Sequence, residues 1–129
     1  MQLTPTYHII RNVYKPKRKL LTEEQIIDFI FGVVFRETGM SEFRIKSKTR
    51  KQDVVNAKRI VIYLVYNYTS LTLLKIAETV GLSDHSSICH HLQEINNLCL
   101  YDKTYKLITG NCEDAIALYK PKLKRYKNA

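Results

Sequence analysis

The chain has 129 residues, 45% hydrophobic and 26% charged, with only 4 Gly and 3 Pro. That is the size of one domain with tails, apolar enough for a core and too poor in low-complexity sequence for a disordered chain, so a multidomain enzyme is excluded. The longest apolar stretch, residues 26–35, contains Asp28 and Gly32 and is about half of the roughly 20 residues a bilayer span needs, so no membrane partner is expected. Residues 1–11 lack the basic start, apolar run and cleavage site of an export signal, which points to the cytoplasm. Cys89, Cys99 and Cys112 are odd in number and form no C-x-x-C pair; reduced thiols are expected rather than a disulfide framework or a zinc ribbon.

The net charge of +9 is unevenly spread. Residues 1–20 carry five positive and no negative charges, 41–60 seven and two, and 115–129 five and none, while 21–40 and 61–114 are each net acidic. Such a distribution attracts polyanions to particular segments. A basic tail is often only a solubilising arm, but the internal cluster is harder to explain that way.

In chain order, residues 1–21 mix Pro5, Pro16 and a K-P-K-R-K run without a sustained period and read as a basic arm. Thr22 with Gln25 forms a capping box, and Ile26, Ile27, Ile30, Phe31, Val34 and Phe35 recur at helical spacing up to Gly39, a natural left-handed stop. Residues 41–52 are polar and basic and read as a loop anchored by Phe43 and Ile45. Asp53 is placed to cap a second helix carrying Val54, Ala57, Val61, Leu64 and Tyr68, widened by Val55, Ile62 and Val65. Its β-branched residues would also suit a strand, but the pattern runs for some sixteen residues with Lys58 and Arg59 together on a polar flank, which favours helix. After a break at residues 69–72, Leu73 to Val80 makes a short helix stopped by Gly81. Ser83 is then the expected N-cap of a helix from Asp84 to about Cys99, with Ile88, Leu92, Ile95 and Cys99 on one face and polar residues on the other. Asp102 or Thr104 opens a last segment with Leu107, Ile108, Ala115, Ile116 and Tyr119, interrupted near Gly110 and ending at Pro121. The expectation is an all-α domain over 22–119, flanked by a basic arm at 1–21 and a basic tail at 120–129.

A short helix, a tight turn containing Gly and a longer amphipathic helix are the signature of a helix-turn-helix. In that geometry the first turn of the second helix reads base edges in the major groove. Asp84, His85, Ser86 and Ser87 occupy it: His85 can donate to a purine N7 or O6, Asp84 can accept from cytosine N4, and serine can do either. Taken alone the signal is weak, because many helices begin S-D-x-S for capping reasons. The basic segment strengthens it, since affinity for duplex DNA comes mostly from phosphate contacts, which Lys46, Lys48, Arg50, Lys51, Lys58 and Arg59 could supply. An arginine on such a segment also suits a narrow minor groove, and Arg50 is the candidate.

The stretches S-K-T-R-K-Q-D-V-V-N-A-K-R-I-V-I-Y-L (47–64) and S-L-T-L-L-K-I-A-E-T-V-G-L-S-D-H-S-S-I-C-H-H-L-Q-E-I (70–95) resemble the C-terminal DNA-binding domain of the bacterial chromosomal replication initiator DnaA. The resemblance implies a small all-α, Trp-repressor-like helix-turn-helix that binds double-stranded DNA. It places Arg50 at the family's minor-groove arginine and Lys58 and Arg59 at its Arg-Gln pair. Asp84, His85, Ser86 and Ser87 fall on the major-groove tetrad, and His90 on a later family histidine. Ser83 stands where the family has arginine, Leu82 follows the first glycine, and Gln93-Glu94 replace a basic pair, which implies weaker binding or a different preferred site. No G-x-x-x-x-G-K-[ST] occurs, so no nucleotide site or other cofactor is expected. The resulting expectation is a non-catalytic, nucleoid-associated accessory or regulator of replication or transcription in a bacterium or phage, with a replication or transcription protein as a possible partner.

Rival readings exist for the same residues. His85 and Cys89, with His90 and His91 beside them, do not make four metal ligands, and Cys89, like Cys99, better fits the border of the core. Asp84, His85 and Ser86 cannot form a hydrolytic triad, because consecutive helical residues point about 100° apart. Tyr63, Tyr66 and Tyr68 suit a core margin better than a stacking platform, leaving single-strand or RNA binding as the nucleic-acid alternative. From another class, a protein-interaction adaptor on a decayed helix-turn-helix would account for Ser83, Gln93 and Glu94.

Overall fold

Six helices and no strand are found among the described residues, 22–118 of a computed structural model: α1 (Glu23–Thr38), α2 (Glu42–Lys46), α3 (Gln52–Tyr68), α4 (Leu73–Thr79), α5 (His85–Tyr101) and α6 (Lys103–Ala117). The all-α expectation holds. The arm at 1–21, Tyr119 and the tail at 120–129, with Pro121 as a helix stop, lie outside the described residues.

The capping box at α1 forms as read, Thr22 Oγ1 accepting from Gln25 N at 3.1 Å and Gln25 Oε1 from Thr22 N at 3.0 Å. Gly39 ends the helix at φ +80°. Of the expected apolar stripe, Ile26, Ile30, Phe31 and Val34 are buried with Val33, whereas Phe35 turns outward. The central helix is α3, which packs against α1, α2, α4 and α5 and buries more than one face. It begins at Gln52 with Lys51 at the N-cap and no side-chain cap; Asp53, the expected cap, lies inside the first turn and accepts from Val54 N. A missing cap costs about 1 kcal/mol. Burial of Val54, Ile60, Val61, Ile62, Leu64 and Val65, each contributing about 1.5–3 kcal/mol, outweighs it and selects helix over strand.

Further local readings change. Within the expected 41–52 loop, Ser41 caps the one-turn helix α2, which Ile45 pins to the core, while Phe43 is 83% exposed and anchors nothing. Ile45 and Phe43 are two residues apart, about 200° around a helix, so both cannot face inward. The interruption near Gly110 does not occur: α6 runs unbroken from its Asp102 cap because Tyr105, Thr109, Cys112 and Ile116 hold one buried face. Glycine inside a helix costs only about 1 kcal/mol, less than those contacts contribute.

Three contacts fix the helix-turn-helix against the basic segment. Gly81, between α4 and α5, adopts φ +83°, and its α-carbon lies so close to the carbonyl of Lys46 that a β-carbon there would collide with it. Lys58 on α3, only 5% exposed, donates from Nζ to the carbonyl of Ser47 at 3.2 Å. Arg59 Nε donates to His91 Nδ1 at 3.1 Å, joining α3 to α5. Burial, then the Arg59, His90 and Lys58 charges, push His91 down to about 4, so the imidazole stays neutral and able to accept.

Gly81→Ala is expected to destabilise the protein by at least about 2 kcal/mol in urea unfolding, from left-handed strain plus collision with backbone. Gly39→Ala, at a similar φ but with open space around it, should cost about 1 kcal/mol; equal losses would show that the Lys46 contact is unimportant. Because the folded pKa of His91 lies below the ordinary 6.5, the unfolded chain binds more protons between about pH 4 and 6.5. Its contribution is therefore fully present above pH 6.5 and lost as pH falls towards 4, and His91→Gln should flatten that part of a stability-versus-pH curve.

Candidate nucleic-acid interface

The first turn of α5 stands clear of the core. Asp84, His85 and Ser86 are exposed and Ser87 half-buried, while Ile88 and Ile95 on the opposite face are fully packed. The N-cap is Asp84 rather than Ser83: its backbone is extended, and Oδ1 accepts from Ser87 N at 3.1 Å, Ser87 Oγ at 3.2 Å and Ser86 Oγ at 3.3 Å. These hydrogen bonds, led by the Ser87 backbone amide, hold the carboxyl below the usual carboxylate range. One Asp84 oxygen and the two serine hydroxyls are thereby committed to the turn, and His85 is the member of the tetrad that enters none of these bonds.

The basic segment shares a cleft of ≈ 550 Å³ with the residues on either side of this turn: Lys48, Thr49, Arg50 and Lys58 line it with Ser83, His90 and His91, whereas Lys51 and the turn residues 84–87 do not. Lys48, Arg50 and Lys51 are exposed and form no ion pair among the described residues. The remaining expected cations are differently disposed. Lys46 pairs with Glu42 at 2.7 Å and lies 5.4 Å from the Phe31 ring centroid. Lys58, read from sequence as lying on a polar flank, is buried; its ammonium is spent on Ser47, and burial with the nearby Lys48 charge lowers its pKa. Arg59 is half-buried and committed to His91, with a longer 3.5 Å contact from Nη1 to Asn56 Oδ1.

The structure thus brings Lys48, Arg50 and His90 to one cleft beside exposed Asp84, His85 and Ser86, and withdraws Lys58 and Arg59 into support beneath it. Thr49, Ser83 and His91 line the cleft without being expected contacts: the sequence marks Ser83 only as a helix cap and a departure from the family's arginine, and His91 only as a neighbour of His85 and Cys89. Cys89 is exposed rather than bordering the core. Among the described residues no helix is long and apolar enough to cross a membrane.

Residues 27–95 match the family described as bacterial DnaA protein helix-turn-helix. Similar proteins include the chromosomal replication initiator proteins DnaA of Aliarcobacter butzleri, 34% identical over 86% of this chain and 25% of that protein, and of Campylobacter curvus, 33% identical over 84% and 24%. The counterpart in Bacteroides fragilis is 30% identical over 81% of this chain and 21% of its own length. The chain therefore spans about a quarter of the length of these relatives. With a match over more than half its residues and the short-helix, glycine-turn, long-helix unit in place, the chain belongs to the bacterial DnaA helix-turn-helix family.

Proposed function

We propose that this protein binds double-stranded DNA without catalysis, laying the first turn of α5 in the major groove and the 48–51 segment against the adjacent minor groove. The observation that carries this reading is the cleft, where Lys48 and Arg50, in no ion pair among the described residues, share a lining with Ser83 and His90, which flank the exposed entrance of α5. Lys48 and Lys51 are the phosphate contacts and Arg50 the minor-groove contact. His85 is the principal base reader, with Ser86 and the second Asp84 oxygen beside it, Ser87 holding the turn and His90 on the flank. Lys58 and Arg59 act indirectly, fixing the two walls.

Family membership and the initiator names of the relatives favour a role at replication origins or promoters, as an accessory or regulator that marks or competes for initiator-type sites. Affinity should fall with salt at a slope of about −0.9 per phosphate neutralised. Fluorescence anisotropy on duplexes of random sequence followed by selection of bound sites tests the reading. Arg50→Ala should weaken binding to every duplex, and His85→Ala should relax base preference at one position by about 1–3 kcal/mol. Lys58→Ala should mainly lower folding stability and leave the salt slope unchanged. Absence of duplex binding at low salt would favour an adaptor, and unchanged preference in His85→Ala would remove α5 from the major groove.

A further inference from the structure

The chain sorts its charges between concavities. Glu37, Asp53 and Asp102 line an acidic groove of ≈ 300 Å³ that holds no Lys or Arg, whereas the cleft beside α5 collects Lys48, Arg50, Lys58, His90 and His91 and no Asp or Glu. Lys58 is the unusual member. It is only 5% exposed, yet it forms no ion pair among the described residues; it donates once, to the Ser47 carbonyl, and its other ammonium protons have no partner among them. A buried charge without a counter-ion is unfavourable. Like charges add to that: Lys48 acts on Lys58, and Arg59, His90 and Lys58 act on His91, with Glu94 the opposing charge. Lys48, Arg50 and the Ser83 hydroxyl, in the same lining, are also without partners among the described residues.

We propose that this cleft binds a small molecule carrying two or more phosphates, with one phosphate against Lys58 and another against Lys48 and Arg50, and that its occupant competes with DNA for the two exposed cations. At ≈ 550 Å³ the cleft lies within the roughly 300–1,000 Å³ of small-molecule sites. A duplex holds its phosphates on a broad convex surface and cannot bring one to an ammonium so far inside, whereas a free phosphate can enter. Clustered phosphate oxygens accept from several donors together, and Arg50 is able to meet them bidentately. Val55 and Leu82, both half-buried, give the lining an apolar part for a base or another organic group. Nucleotides and bare polyphosphates therefore share the chemistry recognised and differ in that contact. No glycine-rich phosphate loop is involved, since the donors are side chains. Occupancy of the cleft stands independently of the DNA reading; only the competition rests on it.

The test uses the full chain with inorganic triphosphate and with ATP, each against chloride at matched ionic strength and without divalent cations. Both phosphates should raise Tm saturably, as a ligand of the folded state does, while chloride leaves it unchanged. A larger rise with ATP would assign the site to nucleotides, and equal rises would assign it to bare polyphosphates. In spectra of the labelled chain the methyl signals of Val55 and Leu82 should shift with triphosphate while those of Ile30 and Ile116 stay in place. The titration midpoint of His91 should rise, because a bound anion favours the imidazolium. Lys58→Met is expected to weaken triphosphate binding roughly 10- to 100-fold, the worth of one charge-assisted hydrogen bond. Arg50→Gln, at an exposed position, should weaken it too, whereas Lys106→Gln, which removes the same charge on α6 outside the cleft, should not. Triphosphate should release bound duplex over the concentrations that raise Tm. A Tm that follows ionic strength alone, or Lys106→Gln acting as strongly as Arg50→Gln, would overturn the proposal and leave the DNA reading intact. Saturable triphosphate binding by a chain that binds no duplex would sustain the site and remove the DNA reading.

Discussion

The approach of the Gly81 backbone to the carbonyl of Lys46 is the constraint on which the rest of the molecule depends. It is available only to a residue without a side chain, in a left-handed conformation that glycine adopts at little steric cost. Because Gly81 belongs to the turn between α4 and α5, and Lys46 to the end of α2, this one close pass sets the distance between the start of α5 and the segment that follows α2. Two stretches some 35 residues apart in sequence therefore share one cleft.

Placing charge around that seam requires spending some of it. Lys58 is buried against the Ser47 carbonyl, where desolvation weakens its hold on the proton, and Arg59 is tied to a neutral His91. A buried charge is tolerated only when it is hydrogen-bonded, so these two side chains act as struts, while Lys48, Arg50 and Lys51 on the segment itself stay exposed. A similar division occurs at the start of α5. Asp84, Ser86 and Ser87 bond with one another and stiffen the helix entrance, which leaves His85 as the side chain outside that network.

The central helix separates two surfaces of opposite character. Val55 and Lys58 meet the basic cleft, while Asp53, Asn56, Ala57 and Ile60 meet the acidic groove, about half a turn away at 100° per residue. A helix that is buried around most of its circumference can position both rims at once, and the tightness of its packing ties their spacing to the core.

Periodicity, caps and glycines in the sequence by themselves determined the all-α class, the capping box at Thr22, the stop at Gly39 and the short-helix, turn, long-helix unit, because these depend on residues within one or two turns of each other. The basic composition around residue 50 likewise marked Lys48 and Arg50, which line the cleft, whereas the 84–87 segment it paired with them lies outside that lining. Only the tertiary structure decided which cations face solvent, that Phe43 points outward while Ile45 anchors α2 and that α6 passes through Gly110. Each of those outcomes is settled by a partner distant in sequence or by the energy of burying a neighbouring face, and local pattern carries no information about either.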